Sequence, residues 1–516
     1  MNLLRKNIHM DVVKSQAISQ ITLEDDVNLS DSRPDMEKII LEDGTVRIEE
    51  VKTSGDHVLV RGRLFVDILY LSDDRDTLIA KMEGAIPFEE KIFMEGIQPG
   101  THVDVTADVE DLSIGLINSR KVSVRAILTL YAKQQELMDE ETAVELYTEE
   151  AIEYRKKQLD YTELSVCKKD IYRIRQEVDL PANLPNIFQI IWESVYISGL
   201  EWKAMEGQIA VQGELVVFFL YEGEGEERPI RFYEGTIPFS GVIEEKNSRE
   251  MMITDITSQI SNLLVEVKPD FDGEERVVSI EAVLDLDIKL YEETQMEILA
   301  DVYGVTKEVT AVSKTGEMKH LLMKNDGKCR VSGKLKMHNG SKNMLQVLFG
   351  TALPIVEDVV VLEDAVQVNG HLQAKCLYVT NDDLMPYDSV SGKIPFEYMV
   401  DAKGVSGESD VKVKVSLEQL GTAVVAGEEV EVKAVLAVQI IAFEKKKQEL
   451  IADVKVAELN LEQIKNLPQM VIYVAKEGDS LWQIGKQYYV SVADLKEINE
   501  ISQDECRQGQ KILVVR

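Results

Sequence analysis

Histidine and cysteine are the side chains with which this 516-residue chain could build a metal centre or a nucleophilic site. Such sites need ligands at close spacing, for example two histidines one helical turn apart or a Cys-x-x-Cys pair. Neither spacing occurs in the sequence, and His371 falls on a predicted polar strand face. We therefore expect structural or solvent-facing roles for these side chains. They are His9, His57, His102, His320, His338, His371, Cys167, Cys329, Cys376 and Cys506.

Acidic runs are the second candidate for chemistry, because paired carboxylates can exchange protons or hold a hard cation. Residues 73–74, 222–227 and 382–383 are acidic and each follow the tyrosine that ends a predicted strand. Asp, Asn and Gly are favoured there by turn geometry, and the spacing in 222–227 is not that of a calcium loop. Phosphate-binding loops, dinucleotide fingerprints and serine-hydrolase elbows are missing. We therefore expect no catalytic residue, no metal and no cofactor, although distant carboxylates could still converge for glycan cleavage.

The composition limits the class of partner. With 57 Lys and Arg against 92 Asp and Glu, the formal net charge at pH 7 is −35. This charge argues against nucleic acid or an anionic membrane surface as a direct partner and favours a basic surface on a protein. No stretch approaches the roughly 18 apolar residues of a membrane span, so no membrane insertion is expected. The N-terminal segment lacks the features of a secretory signal, and the scattered cysteines favour a reducing, cytosolic compartment.

The body of the chain repeats itself three times, at a spacing of about 150 residues. The sharpest segment is a strand in which apolar residues alternate around a glycine, and an Ile-Pro-Phe sequence follows at constant distance from the strand's tyrosine. Repeats of this length are independent domains rather than solenoid units. The alternating positions are Val58, Val60, Gly62, Leu64, Val66, Ile68 and Tyr70; Ile209, Val211, Gly213, Leu215, Val217, Phe219 and Tyr221; and Val366, Val368, Gly370, Leu372, Ala374, Cys376 and Tyr378.

Strict alternation over seven positions is typical of a half-buried strand. With several such strands per copy, it predicts a mostly β chain of three β-sandwich-like domains. The glycine inside each strand indicates a bulge or a close approach of backbone. Residues 141–157 fit either a linker helix or an edge strand, and the charged run 444–449 fits a solvated hairpin tip. The predicted organisation is repeats at 9–140, 158–300 and 315–455, a linker at 456–469 and a C-terminal module at 470–516.

The C-terminal module carries its own helix signals. Ser480 and Gln483 have the spacing of a capping box, which predicts a helix that starts near residue 481. Ser491 and Asp494 can start a second helix in the same way. Two short helices between two short strands make a βααβ module, about the smallest core that folds alone. The predicted elements are strands at 472–474 and 512–515 and helical apolar faces formed by Leu481, Ile484 and Gly485 and by Leu495 and Ile498.

With these elements and the run Gly-Asp-Ser-Leu-Trp at 478–482, the module resembles a LysM domain, whose family binds glycans that contain N-acetylglucosamine, such as peptidoglycan. The resemblance implies a shallow groove between the loop at 478–481 and the loop at 505–509. Neutral sugars need backbone donors and acceptors, and glycines allow close approach. A LysM fold kept for protein docking is the alternative, since fold does not fix function. The implied groove residues, for glycan or protein, are Gly478, Asp479, Ser480, Leu481, Arg507, Gln508 and Gly509.

Three acidic β repeats followed by a LysM-like module resemble the SipL-type family of spore coat morphogenetic proteins. The recurring Gly, Tyr and Ile-Pro-Phe landmarks are similar to those of its SPOCS domains. The resemblance implies a non-enzymatic adaptor in the mother-cell cytoplasm, recruited to the forespore surface and the spore coat. Its implied partners are the ATPase of the coat basement layer and other coat proteins, with the LysM module as docking site. Two alternatives stay open: a peptidoglycan-binding wall or cortex protein, and a glycan hydrolase.

Overall fold

The computed structural model describes residues 2–74, 77–337, 344–382, 384–425, 428–459 and 467–516. Strands account for 76% of the chain and helices for 3%, which confirms the predicted mostly β body and small βααβ module. Of the described helices, none is long and apolar enough to cross a membrane. His338 and residues 460–466 of the predicted linker lie outside the described residues.

Within the described ranges, six strands build each repeat. The first repeat has β1 Asn2–Asn28, β2 Met36–Ser54, β3 His57–Ser72, β4 Ile79–Phe93, β5 Asp104–Asn118 and β6 Lys121–Tyr147. The second has β7 Ile152–Asp179, β8 Ile187–Met205, β9 Gln208–Gly223, β10 Ile230–Glu244, β11 Ile253–Pro269 and β12 Glu275–Gly304. The third has β13 Glu308–Lys336, β14 Met344–Leu362, β15 Ala365–Thr380, β16 Tyr387–Asp401, β17 Asp410–Val425 and β18 Glu429–Ala457. The C-terminal module has β19 Met470–Val474, α1 Leu481–Tyr488, α2 Val492–Asn499 and β20 Lys511–Val515.

Each repeat is a sandwich of two antiparallel three-stranded sheets. In the first repeat the strand orders are β1-β6-β5 and β2-β3-β4, and the other two repeats follow the same scheme. The core between the sheets consists of alternate residues, such as Val58 and Leu64 of β3 and Val124 and Leu128 of β6. Removing these side chains from water is the main stabilising contribution, at about 25 cal/mol per Å² of apolar surface.

The glycine and the phenylalanine that recur in every repeat form one packing unit. Gly62 of β3 lies opposite Phe88 of β4 in the sheet register. A Cβ on Gly62 would lie 2.7 Å from Phe88 Cζ and 2.5 Å from the carbonyl oxygen of Arg47, so no larger residue fits. The ring of Phe88 thus packs directly on the backbone of Gly62, in the space that a side chain would fill. The predicted close approach to the strand glycine is confirmed. The equivalent pairs are Gly213 with Phe239 and Gly370 with Phe396.

The outer strands of each repeat extend well beyond the sandwich. The charged run 444–449 lies inside β18 and pairs with β13, so the prediction of a hairpin tip was wrong. Here β18 has only one partner strand. Lys445, Lys446 and Lys447 point alternately to the two faces of the strand and all are exposed, whereas Leu450 is buried. Charge therefore marks a stretch of β18 that meets solvent on both faces. Residues 141–147 likewise continue β6 and residues 152–157 begin β7, as the strand alternative predicted, with a short turn between them.

The three repeats pack on one another through equivalent residues. Leu69, Leu220 and Leu377 occupy the same position in β3, β9 and β15, and each is at most 1% exposed. They belong to one apolar cluster in which the rings of Phe218 and Phe349 stack with centroids 4.2 Å apart. The second half of each of these strands is therefore buried on both faces, whereas the alternation predicted burial on one.

Candidate binding groove of the C-terminal module

Serine caps fix where the two helices begin. The Ser480 hydroxyl accepts a hydrogen bond from the Gln483 backbone N–H at 3.3 Å, and the Ser480 N–H donates to Gln483 Oε1 at 2.9 Å. Ser491 accepts from the Asp494 N–H at 3.0 Å in the same way. Both predicted helix starts are confirmed. Ile498, predicted on the apolar face of α2, is 40% exposed instead.

Main-chain hydrogen bonds bring the two groove loops side by side. Gly478 and Gly509 have φ values of 87° and 80°, a left-handed conformation that favours glycine. Because the bonds between the loops use backbone atoms, the loop positions do not depend on long side chains. The bonds are Leu481 N to Asp504 O at 2.8 Å, Cys506 N to Asp479 O at 3.0 Å and Gly509 N to Ala475 O at 2.8 Å.

Asp479 organises the first loop. Its Oδ2 accepts hydrogen bonds from the Lys476 N–H at 2.8 Å and from the Tyr473 hydroxyl at 2.9 Å. These two bonds, the backbone one first, lower the pKa of the Asp479 carboxyl. The group is therefore an anion at neutral pH, and one of its oxygens is already occupied within the loop.

The structure places the predicted groove residues in three different environments. Gly478, Arg507, Gln508 and Gly509 are exposed, whereas Asp479 and Ser480 are partly buried. Leu481 is fully buried in the core of the module. Its N–H already bonds Asp504, so neither its side chain nor its N–H is available to a ligand. The exposed part of the groove is thus a strip of backbone and the side chains of residues 507 and 508.

The opposite side of α1 is fixed to the second repeat. Trp482, which is 4% exposed, donates its indole N–H to Asp301 Oδ2 at 2.8 Å. Lys486 Nζ donates to the other oxygen of Asp301 at 2.6 Å. The indole also meets the ring of Tyr303 edge-on, with centroids 4.8 Å apart, and the guanidinium of Arg155 lies 5.5 Å from its centre. The module is therefore mounted on the end of β12.

The close approach of helix α1 to the side chain of Tyr303 requires a glycine in the helix. A Cβ on Gly485 would lie 2.6 Å from the Tyr303 hydroxyl oxygen. That hydroxyl donates to the carbonyl oxygen of Val490 at 2.9 Å, and burial raises the pKa of Tyr303, so it stays a donor. Burial alone would raise the pKa of Asp301, but the hydrogen bonds from Lys486 and Trp482 lower it. The module is therefore held at an ionised carboxylate that accepts from Trp482, Lys486 and the Val302 N–H.

Sequence reasoning did not find Asp301, Tyr303 and Arg155, because they lie about 180 residues or more before their partners in α1. The available signal was Trp482, a large aromatic next to the predicted apolar face of a short helix. In the first repeat the residue equivalent to Tyr303 is Tyr147, which is 59% exposed. Tyr303 is thus buried by the module rather than by its own repeat.

The described residues contain no cluster of three or more metal-ligating side chains. The four cysteines are not joined by disulfides. His371, expected on a polar face, is only 8% exposed, and its Nδ1 lies 2.7 Å from Glu357 Oε1 of the neighbouring strand. The exposed groove of the C-terminal module is the candidate functional site of the described ranges.

Comparison with known families matches the SipL SPOCS domain at residues 35–117, 186–268 and 343–425 and the LysM domain at residues 473–515. Each SPOCS match covers the four inner strands of a repeat and stops short of its long first and last strands. No solved structure matches the chain. Both domain types bind rather than catalyse, and the SPOCS matches relate the chain to sporulation.

Proposed function

We propose that this chain, which carries three SipL SPOCS domains followed by a LysM domain, is a non-enzymatic adaptor in spore coat assembly. The LysM groove docks the morphogenetic ATPase of the coat basement layer. The body of three repeats carries that groove and contacts further coat proteins at the forespore surface. The protein acts in the mother-cell cytoplasm and is recruited to the forespore from there.

The observation that carries this proposal is the open groove on a fixed module. Gly478, Arg507, Gln508 and Gly509 face solvent, while Trp482 holds the other side of α1 against the second repeat. A groove mounted in this way loses little orientational freedom when a partner docks. The net charge of −35 adds long-range attraction for a basic partner surface, which raises the rate of encounter.

Capture from sporulating mother-cell extract tests the proposal with three variants of the full chain. Arg507→Glu combined with Gln508→Ala changes only exposed groove side chains. Trp482→Ala releases the mount, and Gln503→Ala is the control, because Gln503 is exposed outside the groove. We expect the groove variant to lose the ATPase while the control retains it. Undiminished capture by the groove variant would remove the proposed docking site.

Peptidoglycan is the second candidate ligand of the same groove. No atom lies within 4 Å of a Cβ built on Gly478 or on Gly509, so a sugar ring could approach the backbone there. Sedimentation of the full chain with purified peptidoglycan tests this function. Binding that is weakened by a bulky residue at Gly509 would support it, and a chain that stays in the supernatant would contradict it.

A further inference from the structure

The outer face of strand β19 is apolar and open to solvent. Met470, Ile472 and Val474 alternate along this five-residue strand and are 64%, 62% and 53% exposed. Among the described edge strands, β19 alone contains no charged residue, whereas each edge strand of the three repeats carries at least two. Charged side chains are a usual protection of a sheet edge against pairing with another chain. The edge of β19 lacks this protection.

The main-chain groups of β19 that face away from β20 are also unpaired. Ala475 donates its N–H to the carbonyl oxygen of Gln510 at 2.8 Å, which fixes the alternation of hydrogen bonds along the two strands. In such an antiparallel ladder every second residue turns its N–H and C=O groups away from the partner strand. The residues that do so in β19 are the three with exposed side chains. Within the described ranges, no other element bonds their main-chain groups.

The free edge of β20, in contrast, is closed by a side chain. Asn499 of α2 donates from Nδ2 to the Leu513 carbonyl oxygen at 2.8 Å and accepts at Oδ1 from the Leu513 N–H at 2.6 Å. The amide of Asn499 thus takes the place of a third strand at this edge. Because only the edge of β19 is open, pairing there with a second chain gives a closed assembly rather than a fibre.

The distribution of charge favours this module as the place where two copies meet. The net charge of −35 makes two chains repel each other. Residues 470–516 contain six basic and seven acidic residues, so nearly all of the net charge belongs to the rest of the chain. Two C-terminal modules can therefore approach each other with far less repulsion than two bodies.

We propose that β19 pairs antiparallel with β19 of a second copy of this chain and so joins two modules through a four-stranded sheet. A twofold axis at Ile472 places Met470 opposite the partner's Val474, so the cross-strand pairs are apolar. The outward N–H and C=O groups of both strands then bond each other, as in recognition by strand addition. The pairing uses none of the groove residues and does not depend on the ligand of the groove.

Analytical ultracentrifugation of the full chain over a range of concentrations tests the pairing. We expect a monomer–dimer equilibrium with a dissociation constant on the order of 10 µM, because two five-residue strands form less than a standard interface. Ile472→Lys should weaken association by about tenfold or more, since it places two like charges opposite each other. Ile498→Lys is the matched control, because Ile498 is an exposed isoleucine of the same module outside β19.

The control variant should associate like the parent chain. A parent chain that stays monomeric at high micromolar concentration would overturn the proposal. Equal association of the Ile472→Lys variant and the parent chain would also overturn it.

Oxidative crosslinking of the full chain tests the register. Residues that exchange both hydrogen bonds across an antiparallel pair have Cα atoms about 5.5 Å apart, within the range of a disulfide. Ile472→Cys should therefore form a disulfide with its equivalent in the second copy. Met470→Cys should not, because its equivalent lies four residues out of register, about 13 Å along the strand. The parent chain, which keeps the exposed Cys167, gives the background. Equal crosslinking of both variants would overturn the register, and no crosslinking above background would overturn the pairing.

Discussion

The indole nitrogen of Trp482 and the carboxylate of Asp301 lie 2.8 Å apart, although 181 residues separate them in the chain. This bond joins the first helix of the LysM module to the second repeat. An isolated helix of eight residues is marginal in water, so α1 gains order from both its own core and the mount. The mount also decides which side of the module faces solvent, and that side carries the groove.

Trp482→Ala should release the module from the body without unfolding it, because Trp482 is not part of the module's own core. We expect a loss of about 3 kcal/mol of docking free energy, the lower end for truncation of a buried tryptophan. Trp482→Phe should cost about 1 to 2 kcal/mol, since it removes the donor to Asp301 but keeps a ring. Chemical modification of the Tyr303 hydroxyl measures the release, because the module buries this side chain to 2% exposure. A Tyr303 that stays unreactive in the alanine variant would show that Trp482 is not needed to hold the module.

Low pH should weaken the contacts between the first and third repeats, because protonation of Asp11 removes its ion pairs with Lys319 and Lys412. Burial alone would raise the pKa of this 4% exposed carboxyl, but Lys319 and Lys412 lower it to about 2. The folded-state value is below the unfolded value of about 3.9, so the contribution is present above about pH 4 and is lost as the pH falls towards 2. We expect a loss of about 2 kcal/mol from this group over that range, measured by urea unfolding.

Asp11→Asn provides the control for that pH dependence. At neutral pH it should cost about 3 kcal/mol, the lower end for a broken buried ion pair, because the buried Lys319 then keeps only Asp410 at 3.6 Å. It should also flatten the acid limb of the stability curve. Asp31→Asn, at a fully exposed site, should change neither quantity, and an equally steep acid limb in the Asp11→Asn variant would contradict the assignment.

Replacing the strand glycine by alanine should destabilise both the first and the second repeat. Only in the second repeat should a further Phe→Leu substitution recover part of the lost stability. Gly213→Ala places a Cβ 2.9 Å from the ring of Phe239, and we expect a cost of about 1 to 3 kcal/mol that Phe239→Leu partly restores. Gly62→Ala should not be restored by Phe88→Leu, because the carbonyl oxygen of Arg47 lies 2.5 Å from the new Cβ.

Chemical unfolding of these single and double variants measures the difference between the two sites. Gly421→Ala is the control, since the nearest atom lies 3.9 Å from its Cβ, and its effect should stay within about 0.5 kcal/mol. Equal restoration at both strand glycines would mean that the ring alone sets the requirement for glycine.

The cluster between the repeats should make the three sandwiches unfold together. Leu220→Ala should cost about 2 to 5 kcal/mol and broaden the unfolding transition, because it weakens contacts to the first and third repeats. Leu284→Ala, in the core of the second sandwich, should cost a similar amount without uncoupling the repeats. Calorimetry distinguishes the two, and a single sharp transition for Leu220→Ala would argue against coupling through this cluster.

Sequence reasoning succeeded where the determinants are local or repeated. Capping at Ser480 and Ser491, the alternation around Gly62 and the triplication follow from spacing alone. It failed where burial depends on another part of the chain. Leu69 lies on a face that the alternation assigns to solvent, and the next repeat covers it. The run 444–449 was predicted as a turn because both faces of β18 meet solvent there and no apolar alternation remains. The pairing of Trp482 with Asp301 leaves no local pattern in the sequence.

The dissociation constant between the purified full chain and the coat basement ATPase tests the central claim most directly. The account predicts at least tenfold weaker binding for Arg507→Glu combined with Gln508→Ala, equivalent to about 1.4 kcal/mol. Gln503→Ala should bind like the parent chain. Equal dissociation constants for the parent chain and the groove variant would contradict the claim that the LysM groove is the docking site.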